Sequence, residues 1–305
     1  MISIVSPVYN SEKIVDELVS RIVKNVSEIS EEYEIILVED GSPDNSWSKI
    51  LENCARNPRV KGIRLSKNFG QHFAITAGID NAAGDFLVLM DCDLQDSPEY
   101  IKDLYAKAKE GNDIVYTLKE ERKHSVFKNF TAAIFFKIFN YLTENQSASS
   151  KVGSYSIISR KVINAFKNIK DSNRHYLLVL RTLGFKSTVI PIVHQERFSG
   201  KSSYNLSRLI KHAINGITSQ SDKLLRLSVS LGFILFSLSL VWVVYLVIAY
   251  FIHGSQPGYT SLASLILLST GLILMSLGIV GIYIGKIFEQ VKGRPLYIVD
   301  EKINL

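Results

Sequence analysis

Cysteine is scarce in this 305-residue chain. Cys54 and Cys92 are the only two, too few and too ill-spaced for a disulfide framework or a thiolate zinc site, so a reducing compartment is expected. Tryptophan is equally rare, with Trp47 and Trp242 alone. The residues from Met1 to Val8 lack a basic start and meet Pro7 too early for a signal peptide, so export of the first 200 residues is not expected. No Asp or Glu occurs between Asn145 and Lys170, which leaves that stretch without a carboxylate base. The largest absence is of charge itself. Between Arg226 and Lys286 there is no Asp, Glu, Lys or Arg over 59 residues. Few soluble folds of this size tolerate such a run.

Two apolar stretches fill that gap, 227–252 and 261–285, each longer than the roughly 20 residues that cross a bilayer core of about 30 Å. They predict a two-helix transmembrane hairpin over 227–285. The connector from His253 to Tyr259 carries turn formers and no Lys or Arg, whereas Lys223 and Arg226 precede the hairpin and Lys286, Lys292 and Arg294 come after it. By the positive-inside rule both termini are expected in the cytoplasm, with 286–305 as a cytoplasmic tail. The spacing of Gly281 and Gly285 lets membrane helices approach closely and leaves a homo-oligomer open.

The remaining charge is ordinary in amount but uneven in sign. Residues 1–196 hold 25 basic and 25 acidic groups. Residues 197–226 hold Arg197, Lys201, Arg208, Lys211, Lys223 and Arg226 against Asp222 alone. Within them Leu206, Leu209, Ile210, Ala213, Ile214 and Ile217 keep helical spacing, so 201–226 is read as an amphipathic juxtamembrane segment on anionic headgroups. Aromatics do not interleave these basic groups, which excludes a single-stranded nucleic-acid groove. Arg122, Lys123 and Lys128 form a further basic patch, read as a solvated face or a loop over a diphosphate.

Residues 1–200 alternate short apolar runs with helical periods, the pattern of an α/β domain with a mostly parallel sheet. Strands are expected at 2–7, 34–39, 60–65, 86–90, 113–117, 154–158 and 187–193. Ile14, Leu18, Ile22 and Val26 make one helix face. Further helices are expected after Pro43, over about 71–82, and after Ser97 as N-cap with Pro98 at the first helical position. Three strands end in polar groups: Tyr9 and Asn10, then Glu39 to Ser42, then Asp91, Asp93, Gln95 and Asp96. In an open parallel sheet such ends face the ligand crevice. Asp91, Asp93 and the Gln95 amide oxygen suit Mg²⁺ or Mn²⁺ bound jointly with substrate phosphates.

The ordered set Ser6–Asn10, Val38–Ser42, Leu65–Gly70 and Met90–Asp96 resembles glycosyltransferase family 2 with the GT-A nucleotide-sugar-binding fold. The stretches 258–262 and 281–299 make it similar to the polyprenyl-phosphate branch, the dolichyl-phosphate mannosyltransferase and bactoprenol glucosyltransferase relatives. The resemblance covers essentially the whole chain. It implies that Pro7, Tyr9 and Asp40 hold the nucleotide, Asp40 through the base. It implies that Asp91, Asp93 and Gln95 place the metal on the diphosphate, and that Arg197 contacts phosphate with Lys201 standing in for a lysine usual two positions later. The chain departs from the family at Ser154 and Ser156, where many relatives carry an acidic residue and an arginine, and at Ile282, where glutamate is common.

The expected activity is inverting, metal-dependent transfer of a hexose from a UDP- or GDP-sugar to a polyprenyl phosphate at the cytoplasmic membrane face. A membrane-anchored transferase to a glycan or lipid hydroxyl, and an inactive nucleotide-sugar-binding scaffold, remain as alternatives. A processive synthase is disfavoured, since neither tryptophan lies in a Gln-x-x-Arg-Trp motif.

Overall fold

A computed structural model describes residues 1–119, 152–169, 171, 174–193, 223–253 and 258–305. The expectations for Arg122, Lys123, Lys128, Arg197, Lys201, the 201–222 segment and residues 254–257 lie outside them. The chain forms two units, one carrying a sheet together with residues 294–305, the other carrying the long apolar helices.

In the first unit, strands and helices alternate: β1 (Ile2–Val8), α1 (Val15–Ser27), β2 (Tyr33–Glu39), α2 (Ser46–Arg56), β3 (Val60–Leu65), α3 (Gln71–Asn81) and β4 (Phe86–Leu89). After a 3₁₀ turn at Pro98–Tyr100 come α4 (Ile101–Lys109), β5 (Ile114–Lys119), β6 (Val152–Ser159), α5 (Arg160–Asn168), α6 (Tyr176–Thr182) and β7 (Ser187–Ile192). The described strands form one eight-stranded sheet in the order β7-β5-β6-β4-β1-β2-β3-β8, with β8 at Val299–Ile303. Pairs β1–β2, β1–β4, β2–β3 and β5–β7 are parallel; β4–β6, β5–β6 and β3–β8 are antiparallel.

The central strands of the sheet are buried on both faces, and the alternation of side chains assigns each strand residue to one side. Ile4, Ile35, Leu37 and Val88 join the core beneath α1, α2 and α4 with Leu18 and Ile22. Val5, Ile36, Val38, Leu87 and Leu89 join the opposite core with Ala74, Ala77, Ile163 and Phe166. Helix α3 lies so close to β1 that a Cβ on Gly78 would sit 2.3 Å from Val5 Cγ1. Both cysteines are free thiols.

Ser97 does not act as the side-chain cap that its position predicts. No cap hydrogen bond forms, because the hydroxyl is drawn to the Glu99 carboxylate and receives Arg21 Nη2 at 3.0 Å. Arg21 also donates from Nε to Glu99 Oε1 at 3.1 Å and from Nη2 to Oε2 at 2.6 Å, tying α1 to the turn that starts α4. Partial burial raises the Glu99 pKa, but the hydrogen bonds from Arg21 and Ser97 outweigh it and bring it to about 2. A carboxyl whose pKa is lower folded than unfolded stabilises the protein above its unfolded value and loses that contribution as pH falls. The protein is therefore expected to lose urea resistance between pH 5 and pH 3, and Glu99→Gln to lose less over the same interval. An equal loss in both proteins would show that this ion pair has no part in acid stability.

The second unit contains α7 (Lys223–His253) and α8 (Tyr259–Val291), which touch each other. Among the described residues one stretch, Ser269–Val291, is long and apolar enough to cross a membrane, with a mean hydropathy of 2.0 and no part buried within the protein. It ends later than the expected 285, because α8 continues through Lys286 and Glu289.

Residues 286–305 are more than a tail. After α8 the chain returns as β8 and pairs with edge strand β3. Ser66 N–H donates to Ile298 O at 3.0 Å, Tyr297 Oη to Asp80 Oδ2 at 2.9 Å, and Trp47 Nε1 to Glu301 Oε2 at 3.2 Å. Asn304 ends the strand by donating to Cys54 O and Val60 O at 3.0 and 2.9 Å.

Candidate active site

The strand order reverses at β1, whose neighbours β2 and β4 run parallel to it on either side. Such a switch point opens a crevice beyond the carboxyl ends of the strands. The polar loops after β1, β2 and β4 all lie at that edge, joined on the β4 side by residues of β6.

The loops after β1 and β2 are laced together. Asn10 N–H donates to Ser42 Oγ at 3.1 Å, Ser11 N–H to Ser46 Oγ at 2.9 Å, and Glu12 N–H to Asp44 Oδ2 at 3.0 Å. Asn10 takes a left-handed φ of 51°, a conformation its residue type tolerates better than most. The Tyr9 side chain is exposed at the rim. Pro7 is buried within β1, opposite Val38. The β1–β4 ladder stops at Val5 and Leu89, so Pro7 needs no N–H on that side.

Asp40, expected from the family resemblance to meet the base, is engaged within the protein. Its side chain is buried, Oδ1 accepts Phe69 N–H at 2.7 Å and Oδ2 accepts Gly70 N–H at 2.9 Å. Asn68 Nδ2 donates to its main-chain oxygen at 3.0 Å. Burial pushes the Asp40 pKa up, and the two backbone hydrogen bonds pull against that. Asp40 thus fastens the β3–α3 loop to the end of β2. Gly41 makes this fit, with φ of +62° and backbone atoms of Lys67 and Asn68 filling the space of a side chain.

Beyond β4 the chain turns through Asp91, Cys92, Asp93, Leu94 and Gln95. Leu94 is 2% exposed and has a φ of 57°, a costly conformation for a bulky residue that its burial holds in place. Asp93 Oδ1 accepts Gln95 N–H at 3.1 Å, closing a local turn. Cys92 Sγ lies 3.2 Å from Ser11 Oγ, joining this turn to the β1 loop, and burial pushes the thiol up to about 11. Cys92 is a neutral spacer between two acids.

Asp91 meets two side chains the sequence did not single out for it. Gln71 Nε2 donates to Oδ1 at 2.8 Å, and Ser154 Oγ lies 3.4 Å from Oδ2. Ser156 donates to Ser154 O at 2.9 Å and shares a 2.9 Å hydrogen bond with Tyr176 Oη. Gln71 could have been flagged, since it directly succeeds the 65–70 motif and opens α3. Ser154 required the antiparallel β4–β6 register, which sequence spacing does not give. Asp96, the last acid of this loop, is 1% exposed.

Among the described residues no three His, Cys, Asp or Glu side chains gather as a closed metal cage. The donors present are nevertheless those of a hard cation. Asp91, Asp93 and the Gln95 amide oxygen sit on one tight turn, and the remaining coordination positions would fall to water and substrate phosphates, the usual arrangement for Mg²⁺ or Mn²⁺. The residues fit such an ion.

The sequence profile of Glycosyl transferase family 2 matches residues 3–166. An uncharacterised glycosyltransferase of Bacillus subtilis, YkcC, is 36% identical over 305 residues, covering 99% of this chain and 94% of that protein. Undecaprenyl-phosphate 4-deoxy-4-formamido-L-arabinose transferase of Shewanella sediminis is 32% identical over 309 residues, covering 98% and 92%. A solved structure of glucosyl-3-phosphoglycerate synthase from Mycobacterium tuberculosis, in complex with Mn²⁺, UDP and phosphoglyceric acid, has a TM-score of 0.50 at 15% identity, covering 72% of this chain and 76% of that one. That likeness shows the shared GT-A-like fold.

Proposed function

Because the chain belongs to glycosyltransferase family 2 and is a transferase, we propose that it moves a hexose from a UDP- or GDP-sugar to a polyprenyl phosphate at the cytoplasmic face of a membrane, with inversion and with a divalent cation. The observation that carries the acceptor assignment is the serine pair on β6. Ser154 lies beside Asp91, Ser156 meets Ser154 O and Tyr176, and β6 contains no Asp or Glu. A sugar or lipid hydroxyl must lose its proton during attack and calls for a base there. A phosphate monoester is already anionic at pH 7 and calls for none.

In the reaction an acceptor phosphate oxygen bonds to the anomeric carbon as that carbon's bond to the diphosphate oxygen breaks. The electron pair leaves with the nucleoside diphosphate, and no proton has to move. Asp91, Asp93 and Gln95 would hold Mg²⁺ or Mn²⁺, which when bound neutralises the charge developing on the leaving diphosphate. Tyr9 on the rim and the laced β1 and β2 loops would receive the nucleotide. Arg197 and Lys201 would meet phosphate, as the family pattern implies for those positions.

The undecaprenyl-phosphate transferases among the relatives support the lipid acceptor. Two membrane spans fit the lengths of the helices. At 1.5 Å per residue, the 31 residues of α7 and 33 of α8 each reach more than roughly 45 Å, beyond the hydrocarbon thickness. Incubation of purified protein with radiolabelled nucleotide sugars, Mn²⁺ or Mg²⁺ and polyprenyl phosphate is expected to place label in the lipid extract, and EDTA to prevent it. Label on glycan alone, or none with any donor, would overturn the proposal.

A further inference from the structure

We infer that Gln71, assisted by Ser154, is a positioning residue that holds the Asp91 carboxylate in the orientation needed to receive a divalent cation. The inference rests on the assignment of Asp91, Asp93 and Gln95 to that cation. Asp91 lies between two separate elements. On one side Gln71, the first residue of α3, donates to Oδ1 at 2.8 Å; on the other Ser154 of β6 lies 3.4 Å from Oδ2. A donor on each of its two oxygens restrains the rotation of a carboxylate, and each donor uses only one lone pair of the oxygen it meets.

The supports are themselves fixed. Asp40, buried under the β3–α3 loop, binds the N–H groups of Phe69 and Gly70 immediately before Gln71. Gly70 O accepts the first helical hydrogen bonds from Phe73 and Ala74 at 3.0 and 3.2 Å, so the backbone of Gln71 is set from both sides. The far end of α3 is tied to the segment before β8 through Asp80 and Tyr297. On the other flank Leu89 pairs with Ser156, and continuing that register places Ser154 level with Asp91. A glutamine on a helix end this well anchored does more than fill space. It presents an amide N–H to an acid expected to bind metal, and loss of such an outer partner costs about 10–100-fold in metal affinity.

The test measures Mn²⁺ binding in the presence of UDP, by the free Mn²⁺ paramagnetic resonance signal, with no sugar transfer occurring. Gln71→Ala is expected to weaken Mn²⁺ binding about tenfold or more. Its melting temperature without metal should be unchanged, and its turnover should recover to within a few-fold of the unaltered protein at saturating Mn²⁺. Ser154→Ala, with the longer contact, is expected to weaken binding about two- to threefold. Unchanged Mn²⁺ affinity in a folded Gln71→Ala protein overturns the inference while leaving the cation assignment intact. If Gln71→Ala does not fold, unchanged affinity in Ser154→Ala does the same. If the unaltered protein takes up no Mn²⁺ with UDP, both readings fall.

Discussion

Asp93→Asn is expected to lower transfer of labelled sugar into lipid by about 10²–10³-fold, the usual loss when one electrostatic support of a developing oxyanion is removed. The substitution is informative because it is nearly isosteric where the structure needs shape. Asp93 Oδ1 closes the turn by accepting Gln95 N–H at 3.1 Å, and an asparagine oxygen can accept the same hydrogen bond. The left-handed Leu94 and the position of Gln95 should therefore persist while the negative charge is lost. An unchanged melting temperature with abolished transfer separates the chemical role from the structural one. Transfer within about threefold of the unaltered protein would take Asp93 out of the reaction.

Gly41→Ala is expected to be the most damaging small substitution in the sheet-bearing unit, costing about 3 kcal/mol or more of stability. Two costs coincide there. The φ of +62° is one that an L side chain adopts only with strain, and the added Cβ would lie 2.3 Å from Asn68 N and 2.5 Å from Lys67 C. Both are backbone atoms of the loop that Asp40 holds, so neither can move aside as a flexible side chain would. Gly184 is the internal control: its φ is +66°, yet nothing lies within 4 Å of an added Cβ. Gly184→Ala should cost about 1 kcal/mol, the conformational part alone. Since a kcal/mol shifts the melting temperature of a domain this size by roughly 2–4 °C, the two variants should differ clearly in thermal melting. Equal melting temperatures would show that the β3–α3 loop yields easily and does not anchor Gln71.

Much of the α/β architecture was legible because short strand-length apolar segments alternate with helical periods, most plainly in β2, which is buried along its whole length. The expected strands at 34–39, 60–65 and 187–193 match β2, β3 and β7 within a residue. The helix face from Ile14 to Val26 is buried as its spacing predicts. β8 was not legible. As an edge strand with Asp300, Glu301 and Lys302 exposed, it shows no alternation, and its place is set by Trp47, Asp80 and the β3 backbone, all distant in sequence. At the site, Asp91 and Asp93 could be read from one motif at a strand end. Asp40 could not be placed, because a conspicuous acid preceding glycine and serine looks the same whether it faces a ligand or the next loop. Its burial and its two backbone partners are tertiary facts. Gln71 and Ser154 were hidden for the same reason, since both act on Asp91 from elements brought together by the sheet.

An acceptor that is a phosphate, and so needs no base, is what the proposed chemistry depends on above all. The decisive comparison offers the purified protein equal concentrations of a polyprenyl phosphate and of the matching polyprenol, with labelled nucleotide sugar and Mn²⁺. Label is expected in lipid only with the phosphate, in a product that mild acid cleaves as a glycosyl phosphate. Equal labelling of the alcohol, or an acid-stable product from both, would contradict a base-free transfer to phosphate.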